Sequence, residues 1–450
     1  MNVVFFALVA IAFAVAAYRH VTWAPPEGAE DPTPPMEVLG TGIIDASKGA
    51  VELAIGLVGV MALFLGLMKV AERGGLLRIV AKALRPVMVR LFPEVPTDHP
   101  AMGAMILNLS ANVLGLGNAA TPFGIRAMQQ LDKLNPAKGS ASNPMVLFLA
   151  LNTSSVTLLP TGIIALRASA GSADPAGIVP TTLFATLCST TVAIVTAKTL
   201  QRVWSPPQPV PGIADQEPDV VDPAQDSPQR TPLDEDEAET TYADELKGAE
   251  QGYPAWISML VLGGVLALIP TTVVYGQELA PWIIPGLILL LLGFGFAKRV
   301  PVYEVFVEGA RDGFQVALRI IPYLVAILVA VGMLRDSGAL QLIIAPLSEV
   351  TRLIGLPGDA LPMALLRPLS GSGAYGVVAS TIQDPAIGPD SYVGYLVSTM
   401  QGSTETTFYV LAVYFGAVQV RRSRHALVTG LTADVAGVMG AVAAVSYLYG

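Results

Sequence analysis

The sequence predicts an all-α polytopic membrane protein made of two inverted repeats with discontinuous helices. First, only 14% of its 450 residues are charged and 53% are hydrophobic, whereas soluble domains carry about 25% charged residues. Second, nine stretches are apolar and approach the length of about 20 residues that a membrane-crossing helix needs. Third, a set of short polar motifs occurs twice in the same order along the chain.

The nine predicted spans are distributed over the whole chain: Val3–Tyr18, Val51–Val70, Met145–Arg167, Gly177–Ala197, Ala255–Tyr275, Pro281–Ala297, Arg319–Leu334, Tyr395–Val418 and Ala426–Tyr449. The first could also be a secretory signal, but no positive charge precedes its apolar run, which favours a retained helix. Val302–Gly313 interleaves charged and apolar residues, which predicts a helix in the headgroup layer.

Two further stretches, Pro100–Pro122 and Pro362–Thr381, are long enough for helices but contain Gly, Pro, Ser and Asn. Non-helical backbone at membrane depth is tolerated only when it is buried in protein or lines an aqueous cavity. These segments are therefore predicted to lie inside the helix bundle, where a binding site is expected first.

An acidic segment divides the chain into two predicted domains. Residues 205–251 hold 13 of the 35 acidic residues, two basic residues and eight prolines, a composition that cannot bury enough apolar surface to fold. The predicted organisation is a domain at 1–202 (repeat at about 42–200), a disordered acidic Pro-rich linker at 203–252, and a domain at 253–450 (repeat at about 302–450). Without the linker the net charge is close to neutral, so nothing indicates a nucleic-acid partner.

The repeat is visible in motifs that share their order. Each copy has a Gly-Ala pair before an apolar span, then a residue followed by Pro, then a Ser- and Gly-rich turn, then a run of hydroxyl residues. The pairs are Lys48-Gly49-Ala50 with Glu308-Gly309-Ala310, Arg85-Pro86 with Ala345-Pro346, Asn108–Gly117 with Pro368–Gly373, and Leu151–Thr157 with Met400–Thr406.

Basic residues predict the orientation of the spans because they favour cytoplasmic loops. Four clusters lie at 69–90, 198–202, 298–299 and 421–424. If all four face the cytoplasm, the two spans at 255–297 place the second repeat in the opposite sense to the first. Inverted repeats with interrupted helices are the architecture of many secondary transporters, with a substrate site near the midplane.

The motifs carry a resemblance to a known family. Asn108–Pro122 (NLSANVLGLGNAATP) and Phe148–Ala168 (FLALNTSSVTLLPTGIIALRA) resemble spore maturation protein A, whereas Arg367–Gly373 (RPLSGSG) and Met400–Val418 (MQGSTETTFYVLAVYFGAV) resemble spore maturation protein B. The resemblance covers both predicted domains and implies two Gate-type nucleoside-recognition domains, a group that includes concentrative nucleoside transporters and the membrane part of ferrous-iron transport protein B. It implies a multi-spanning inner-membrane protein with a transporter-like fold. The chain lacks the phosphate-loop pattern of the iron transporter.

Polar side chains in membrane segments are expected to face a cavity or another helix. The residues predicted to bind a solute are Asn108, Ser110, Asn112, Asn118, Asn152, Thr153, Ser154, Ser155, Ser370, Ser372, Gln401, Ser403, Thr404 and Glu405. The alternative is that these small polar residues let the helices pack closely.

Charges at membrane depth form a second set of candidates. Arg367, Glu405 and Asp434 are predicted to be buried, with Arg367 paired to one of the two carboxylates because an unpaired buried charge is very unfavourable. Such a pair could lock two helices, or Glu405 could bind a solute or a proton. Thr404-Glu405 is similar to a Thr-Glu pair that nucleoside transporters place near the nucleobase. Arg167 is predicted to extend its charge to the membrane surface.

The sequence offers no catalytic, metal or cofactor site. It has one cysteine, Cys188, and three well-separated histidines, and its two glycine-rich turns lie in membrane repeats rather than in the βαβ unit that binds a dinucleotide.

The predicted function is therefore an inner-membrane transporter or channel for a small polar, nucleoside-like solute, with alternating access of the repeats and a cytoplasmic linker. The predicted partners are the bilayer and that solute, and a homo-oligomer is compatible with the sequence. A non-transporting envelope assembly protein and an ion or metal conduit remain as alternatives.

Overall fold

A computed structural model of the protein describes residues 2–25, 33–115, 117–204, 208–210 and 252–450. The predicted linker lies almost entirely outside the described residues. Within them the regular structure is helical, apart from a single bridge between Ser140 and Arg422. Three helical segments, Pro35–Arg73, Pro175–Val203 and Ala426–Tyr449, are long and apolar enough to cross a membrane, and Phe5–Val21 and Trp282–Ala297 are shorter apolar ones.

The α-helices of the first half are α1 (Asn2–Val21), α2 (Pro35–Arg73), α3 (Leu76–Leu91), α4 (Pro100–Val113), α5 (Gly117–Lys133), α6 (Asn143–Thr153), α7 (Thr161–Ser169) and α8 (Ile178–Val203). Those of the second half are α9 (Ala255–Ala297), α10 (Val302–Asp336), α11 (Ala339–Thr351), α12 (Leu361–Leu366), α13 (Gly371–Gln383), α14 (Tyr392–Ser403), α15 (Thr407–Gly416) and α16 (Ala426–Tyr449).

The order of elements from α2 to α8 recurs from α10 to α16. Each half has a long helix, a shorter helix with an internal proline, and a helical hairpin (α4–α5 or α12–α13). These are followed by a helix broken into two pieces (α6–α7 or α14–α15) and a final long helix. The internal prolines, Pro86 in α3 and Pro346 in α11, occupy matching places. The sequence motifs therefore mark equivalent elements.

The long helices α2 and α10 run antiparallel along most of their length. Gly332 of α10 lies beside Ala46 near one end, whereas Gly313 lies against Ala62 and Gly309 against Gly66 towards the other. At Gly309 and Gly313 the two backbones touch, because the partner residues are themselves small. Glycine permits this approach, which is a common way for helices to associate in membranes.

The final helices α8 and α16 also run antiparallel. The hydroxyl of Ser189 donates to the carbonyl of Ala433 at 2.8 Å, and Gly440 lies against Ala185. At the end of the pair, the Tyr449 hydroxyl donates to the carbonyl of Gly177 at 2.9 Å. Both pairs of equivalent long helices thus join the two halves.

Helix α9 covers both spans that were predicted at Ala255–Tyr275 and Pro281–Ala297. It is assigned as one run of 43 residues, which would be about 64 Å long if straight. However, the amide of Tyr253 donates to Lys82 in α3 at 3.1 Å, and Gly295 contacts Val70 near the end of α2. Both ends of α9 therefore lie near the connection between α2 and α3.

Several predicted elements differ in the structure. The predicted spans Met145–Arg167 and Tyr395–Val418 are each two helices separated by a break, because hydroxyl-rich segments interrupt the apolar runs. Val302–Gly313 is not a separate helix but the first part of α10, where its glycines pack on α2. Helix α1 packs against α2 and α10, with Ala12 and Ala16 fully buried among apolar side chains.

Arg167 lies in the last turn of α7, but its charge does not extend into solvent as the sequence interpretation expected. Its side chain is fully buried and pairs with Asp390 of the second half at 2.9 Å. The partner lies far away in sequence, so the apolar context of Arg167 alone gave no indication of it.

Candidate functional site

The breaks of the two interrupted helices meet where the halves join. The first break, Ser154–Pro160, lies between α6 and α7, and the second, Thr404–Thr406, lies between α14 and α15. The backbone amide of Glu405 donates a hydrogen bond of 2.7 Å to the carbonyl of Thr153. That carbonyl is at the open end of α6, where the helix itself supplies no donor. This hydrogen bond therefore satisfies a backbone donor in the second break and a backbone acceptor at the end of the helix before the first break.

Each break is also held by the tip of the hairpin from its own half. In the first half, the amide of Leu158 donates to the carbonyl of Val113 at 3.0 Å. In the second half, the amide of Phe408 donates to the carbonyl of Pro368 at 3.1 Å. The equivalent contacts give the two halves the same local construction at the centre of the fold.

Glycine is required at the first hairpin tip. Gly115 has a φ of +76°, and a Cβ at this position would lie 2.6 Å from the carbonyl oxygen of Leu159. L-residues with a side chain rarely adopt such a φ, and the neighbouring atom belongs to the backbone. The close contact between the hairpin and the first break thus depends on Gly115.

A cluster of amide side chains lies beside the first break. Asn112 Nδ2 donates to Asn152 Oδ1 at 2.9 Å. The hydroxyl of Tyr414 in α15 donates to the same oxygen at 3.2 Å and accepts from Asn108 Nδ2 at 3.2 Å. Asn108 also donates to the carbonyl of Ala120 at 2.7 Å. The second half therefore supplies a phenol that joins two polar residues of the first half.

Tyr414 was missed by the sequence interpretation. It lies in an apolar run and belongs to no polar motif, so periodicity alone classes it as a packing residue. A partial signal exists, because a buried tyrosine hydroxyl usually has a hydrogen-bond partner. Its ring also stacks on Phe148, with centroids 6.0 Å apart.

The three predicted charges lie around the second break. Arg367 and Asp434 are buried, each with 4% of its surface exposed. Arg367 Nη2 lies 3.8 Å from Glu405 Oε2, as expected for one of the two alternatives, and its Nη1 donates to Thr406 Oγ1 at 3.3 Å. Asp434 Oδ2 accepts from the hydroxyl of Thr407 at 2.7 Å.

The prediction that Glu405 is buried is wrong. Its side chain is 57% exposed, although its backbone amide is bonded to the first half. The protein therefore does not enclose the carboxylate, and the buried Arg367 is the charged group beside it. An exposed carboxylate at the crossing of the breaks can contact a solute directly.

Many of the predicted hydroxyl groups bond to their own helices. Ser110, Thr153, Ser154 and Ser403 each donate to a carbonyl three or four residues earlier. Bonds of this kind compete with the helical ladder and favour bends or ends. These side chains shape the helix ends beside the breaks.

The remaining candidates are placed differently. Ser370 caps α13 by accepting from the amide of Gly373 at 3.0 Å, and Ser372 lies 3.5 Å from its hydroxyl. Ser155 and Thr404 are buried, and Gln401 is half-buried. The side chain of Asn118 lies outside the described part of the structure. Among the described residues, no three His, Cys, Asp or Glu side chains lie together as a metal site would require.

Comparison with known proteins matches each half separately. The family model described as "Gate: Nucleoside recognition" matches residues 54–170 and 317–421. Over 178 residues, or 39% of the chain, the sequence is 46% identical to spore maturation protein B of Bacillus subtilis (strain 168), covering 99% of that protein. Over 160 residues, or 36% of the chain, it is 46% identical to spore maturation protein A of the same organism, covering 82% of it.

A third relative is the inner membrane protein YjiG of Escherichia coli (strain K12). It is 36% identical over 83 residues, which are 18% of this chain and 54% of that protein. No solved structure matches the chain.

Proposed function

The chain belongs to the Gate nucleoside-recognition family of membrane proteins, as a fusion of regions similar to spore maturation proteins A and B, and we propose that it transports a small polar solute. The observation that carries the proposal is the crossing of the two breaks, where the Glu405 amide meets the Thr153 carbonyl. Non-helical backbone at such a place fits a protein-lined or water-filled site rather than a lipid-facing one.

An inverted arrangement of the two halves is part of the proposal. It is supported by the antiparallel course of the equivalent helices α2 and α10, and of α8 and α16. Opposite directions of equivalent helices are what repeats of inverted topology require. The domain boundaries at 1–202 and 253–450 remain predictions.

A multi-pass location in the bacterial inner membrane, with the basic clusters and the linker in the cytoplasm, completes the proposed topology. Glu308 at the start of α10 lies 3.8 Å from Lys69 and 3.5 Å from Arg73, at the end of α2. Arg424 before α16 donates to Asn143 at the start of α6 at 2.9 Å. Basic residues from both halves thus gather at matching helix ends, as the positive-inside rule expects for a cytoplasmic face.

The proposed mechanism is alternating access of the two repeats around the crossing. Glu405 contacts the solute through its exposed carboxylate, and Arg367 positions that carboxylate from its buried side. The Thr404 hydroxyl and the Gln401 amide supply neutral donors and acceptors, whereas Asn152 is held by Asn112 and Tyr414 and supports the site from within the protein. Such a set suits a polar solute with several hydrogen-bonding groups, of which a nucleoside is the member we expect.

Uptake of radiolabelled nucleosides into proteoliposomes that contain the full chain tests the proposal. Glu405→Gln keeps the shape of the side chain but removes its charge, and we expect it to reduce uptake strongly. The matched control is Glu349→Gln, which changes an exposed carboxylate on α11, away from the breaks. Equal uptake by the Glu405 variant and the wild type would remove Glu405 from the mechanism, and an absence of uptake by the wild type would contradict nucleoside transport.

A non-transporting assembly role is favoured by one observation. The hydroxyls of Ser110, Thr153, Ser154 and Ser403 are satisfied within their own helices, as packing residues would be. Labelling of Glu405→Cys in a Cys188→Ser background separates the two functions. Transport predicts reaction with a membrane-impermeant maleimide in vesicles, whereas a sealed interior predicts none from either side.

A further inference from the structure

An arginine of the first half is held by the second half at the end of the fold where α7 finishes. Arg167 Nη2 contacts Asp390 Oδ1 at 2.9 Å, and its Nη1 donates to the carbonyl of Pro389 at 2.6 Å. The other carboxylate oxygen of Asp390 accepts from the amide of Ala173 in the first half at 2.7 Å. We call this group, together with Ser172, the Arg167 clasp.

An aromatic side chain of the second half lies against the same guanidinium. Its central carbon lies 4.2 Å from the centroid of the Tyr395 ring, within the range of a cation–π contact. Tyr395 stacks on Tyr449 with centroids 3.8 Å apart, and Tyr449 bonds back to Gly177 of the first half. The fully buried guanidinium of Arg167 is therefore bound by groups of the second half and by the loop that follows α7.

At the opposite end of the fold, an arginine of the second half is bound by groups of the first half. Arg424 of the second half donates to the Ala141 carbonyl at 3.0 Å and to Asn143 Oδ1 at 2.9 Å. The amides of Arg421 and Arg422 donate to the carbonyl of Gly139 at 2.9 and 3.1 Å. The start of α6 is thus held by the loop before α16, just as the start of α14 is held by the loop after α7.

The two sets of contacts are equivalent in position but not in chemistry. Ser142 and Ser391 precede α6 and α14 as their N-cap residues, so Ala141 of the first half corresponds to Asp390 of the second. Arg167 lies as many residues after Ser142 as Gly416 lies after Ser391, so these two residues correspond as well. The buried arginine and its carboxylate therefore occur once each, on different halves.

This asymmetry determines which halves can pair. If two copies of the first half paired with each other, Arg167 of one copy would face Ala141 of the other. If two copies of the second half paired, Asp390 of one copy would face Gly416 of the other. A buried charge without its partner is strongly unfavourable, and an interface that penalises the wrong partner in this way gains specificity.

We propose that the two halves form a non-covalent pair in which the first half binds the second half in preference to a second copy of itself, with the Arg167 clasp as the selective contact. The covalent linker is not needed to hold the pair together. The candidate site is complete only in the pair, because Thr153, Asn108 and Asn152 come from one half and Glu405 and Tyr414 from the other. This agrees with relatives that match one half each.

The test begins with the full chain, purified in a mild detergent, with a site-specific protease sequence inserted between residues 211 and 251 and an affinity tag on the N-terminus. After cleavage, the second half is expected to remain with the captured first half through extended washing. Release of the second half from the wild-type protein would overturn the proposal.

Charge exchange tests the clasp itself. Arg167→Glu is expected to raise the dissociation constant of the two halves by about tenfold or more, which corresponds to about 1.4 kcal/mol, and so to increase the loss of the second half during washing. Asp390→Arg is expected to do the same. The double variant restores an opposite-charge pair and should recover most of the retention. Arg335→Glu, at an exposed ion pair within the second half, is the matched control and should retain the wild-type amount.

Two results would contradict the selective role of the clasp. One is a double variant that retains no more than the single variants, since a disrupted fold would behave in that way and a restored pair would not. The other is capture of a differently tagged first half in place of the second half, when two tagged full chains are expressed together and then cleaved. Should Arg167→Glu fail to fold, Asp390→Asn, at a side chain that is 36% exposed, provides the same comparison.

Discussion

Replacement of Gly313 by alanine tests the close approach of α2 and α10. A Cβ at this position would lie 2.7 Å from the Cα of Ala62 and 2.7 Å from the carbonyl oxygen of Met61. Both neighbours are backbone atoms of α2, so no side-chain rotation relieves the contact. Gly332 on the same helix is the matched control, because its Cβ would meet only the Cβ of Ala46 at an ordinary 3.5 Å.

The expected magnitude follows from these distances. Ordinary contact begins at 3.4 Å, so the helices must separate by about 0.7 Å around Gly313, and overpacking of this kind costs about 1–3 kcal/mol. Either substitution also gains about 0.8–1.0 kcal/mol of helix propensity. Because both variants share that gain, Gly313→Ala should unfold about 1–3 kcal/mol more readily than Gly332→Ala.

Unfolding of the purified protein by sodium dodecyl sulphate in mixed micelles, followed by circular dichroism, measures the difference between the two variants. Gly332→Ala should equal or slightly exceed the wild type in stability. If Gly313→Ala and Gly332→Ala unfold at the same detergent fraction, the backbones of α2 and α10 do not touch at Gly313. The support that their pairing gives to the inverted arrangement would then be lost.

Three further predictions concern other parts of the fold. In a Cys188→Ser background, Ala46→Cys and Gly332→Cys should form a disulfide, because their Cβ atoms would be 3.5 Å apart, within the required range; a mobility shift on a non-reducing gel detects it. Burial lowers the pKa of His425 to about 4, with the Arg424 charge acting in the same direction. The unfolded chain therefore binds the proton more readily, and stability should decrease as the pH falls from about 6.5 towards about 4; thermal unfolding of His425→Asn should lack this component. Tyr414→Phe should cost about 1–3 kcal/mol in the same detergent titration, because the buried amide partners lose their hydrogen bonds.

The repeat and the two interrupted segments at Pro100–Pro122 and Pro362–Thr381 could be predicted from the sequence. Gly115 and the turn at Arg367–Ser370 stand out because glycine, proline and serine are unexpected at membrane depth, and their order is the same in both halves. Such signals are local, since each depends on a few adjacent residues. The all-helical fold and the family follow from the same kind of information.

Contacts between the halves could not be predicted in this way. Arg167 and Asp390 are 223 residues apart in sequence, and Asn108 and Tyr414 are 306 residues apart. Hydropathy reports whether a residue suits a membrane segment, but not which distant residue it meets. For the same reason the spans at 145–167 and 395–418 were predicted to be continuous, because average hydropathy does not register a break that is stabilised by a carbonyl or amide from the other half.

The contacts between the halves differ in how easily they can change. At Gly309 and Gly313 the backbones of α2 and α10 interlock, and sliding would drive larger side chains into those backbones. At the crossing of the breaks, by contrast, the halves share the bond from the Glu405 amide to the Thr153 carbonyl, whose groups could bond to water or to a solute instead. In the proposed transport cycle, we therefore expect movement at the breaks and hairpin tips, with α2 and α10 as the fixed support.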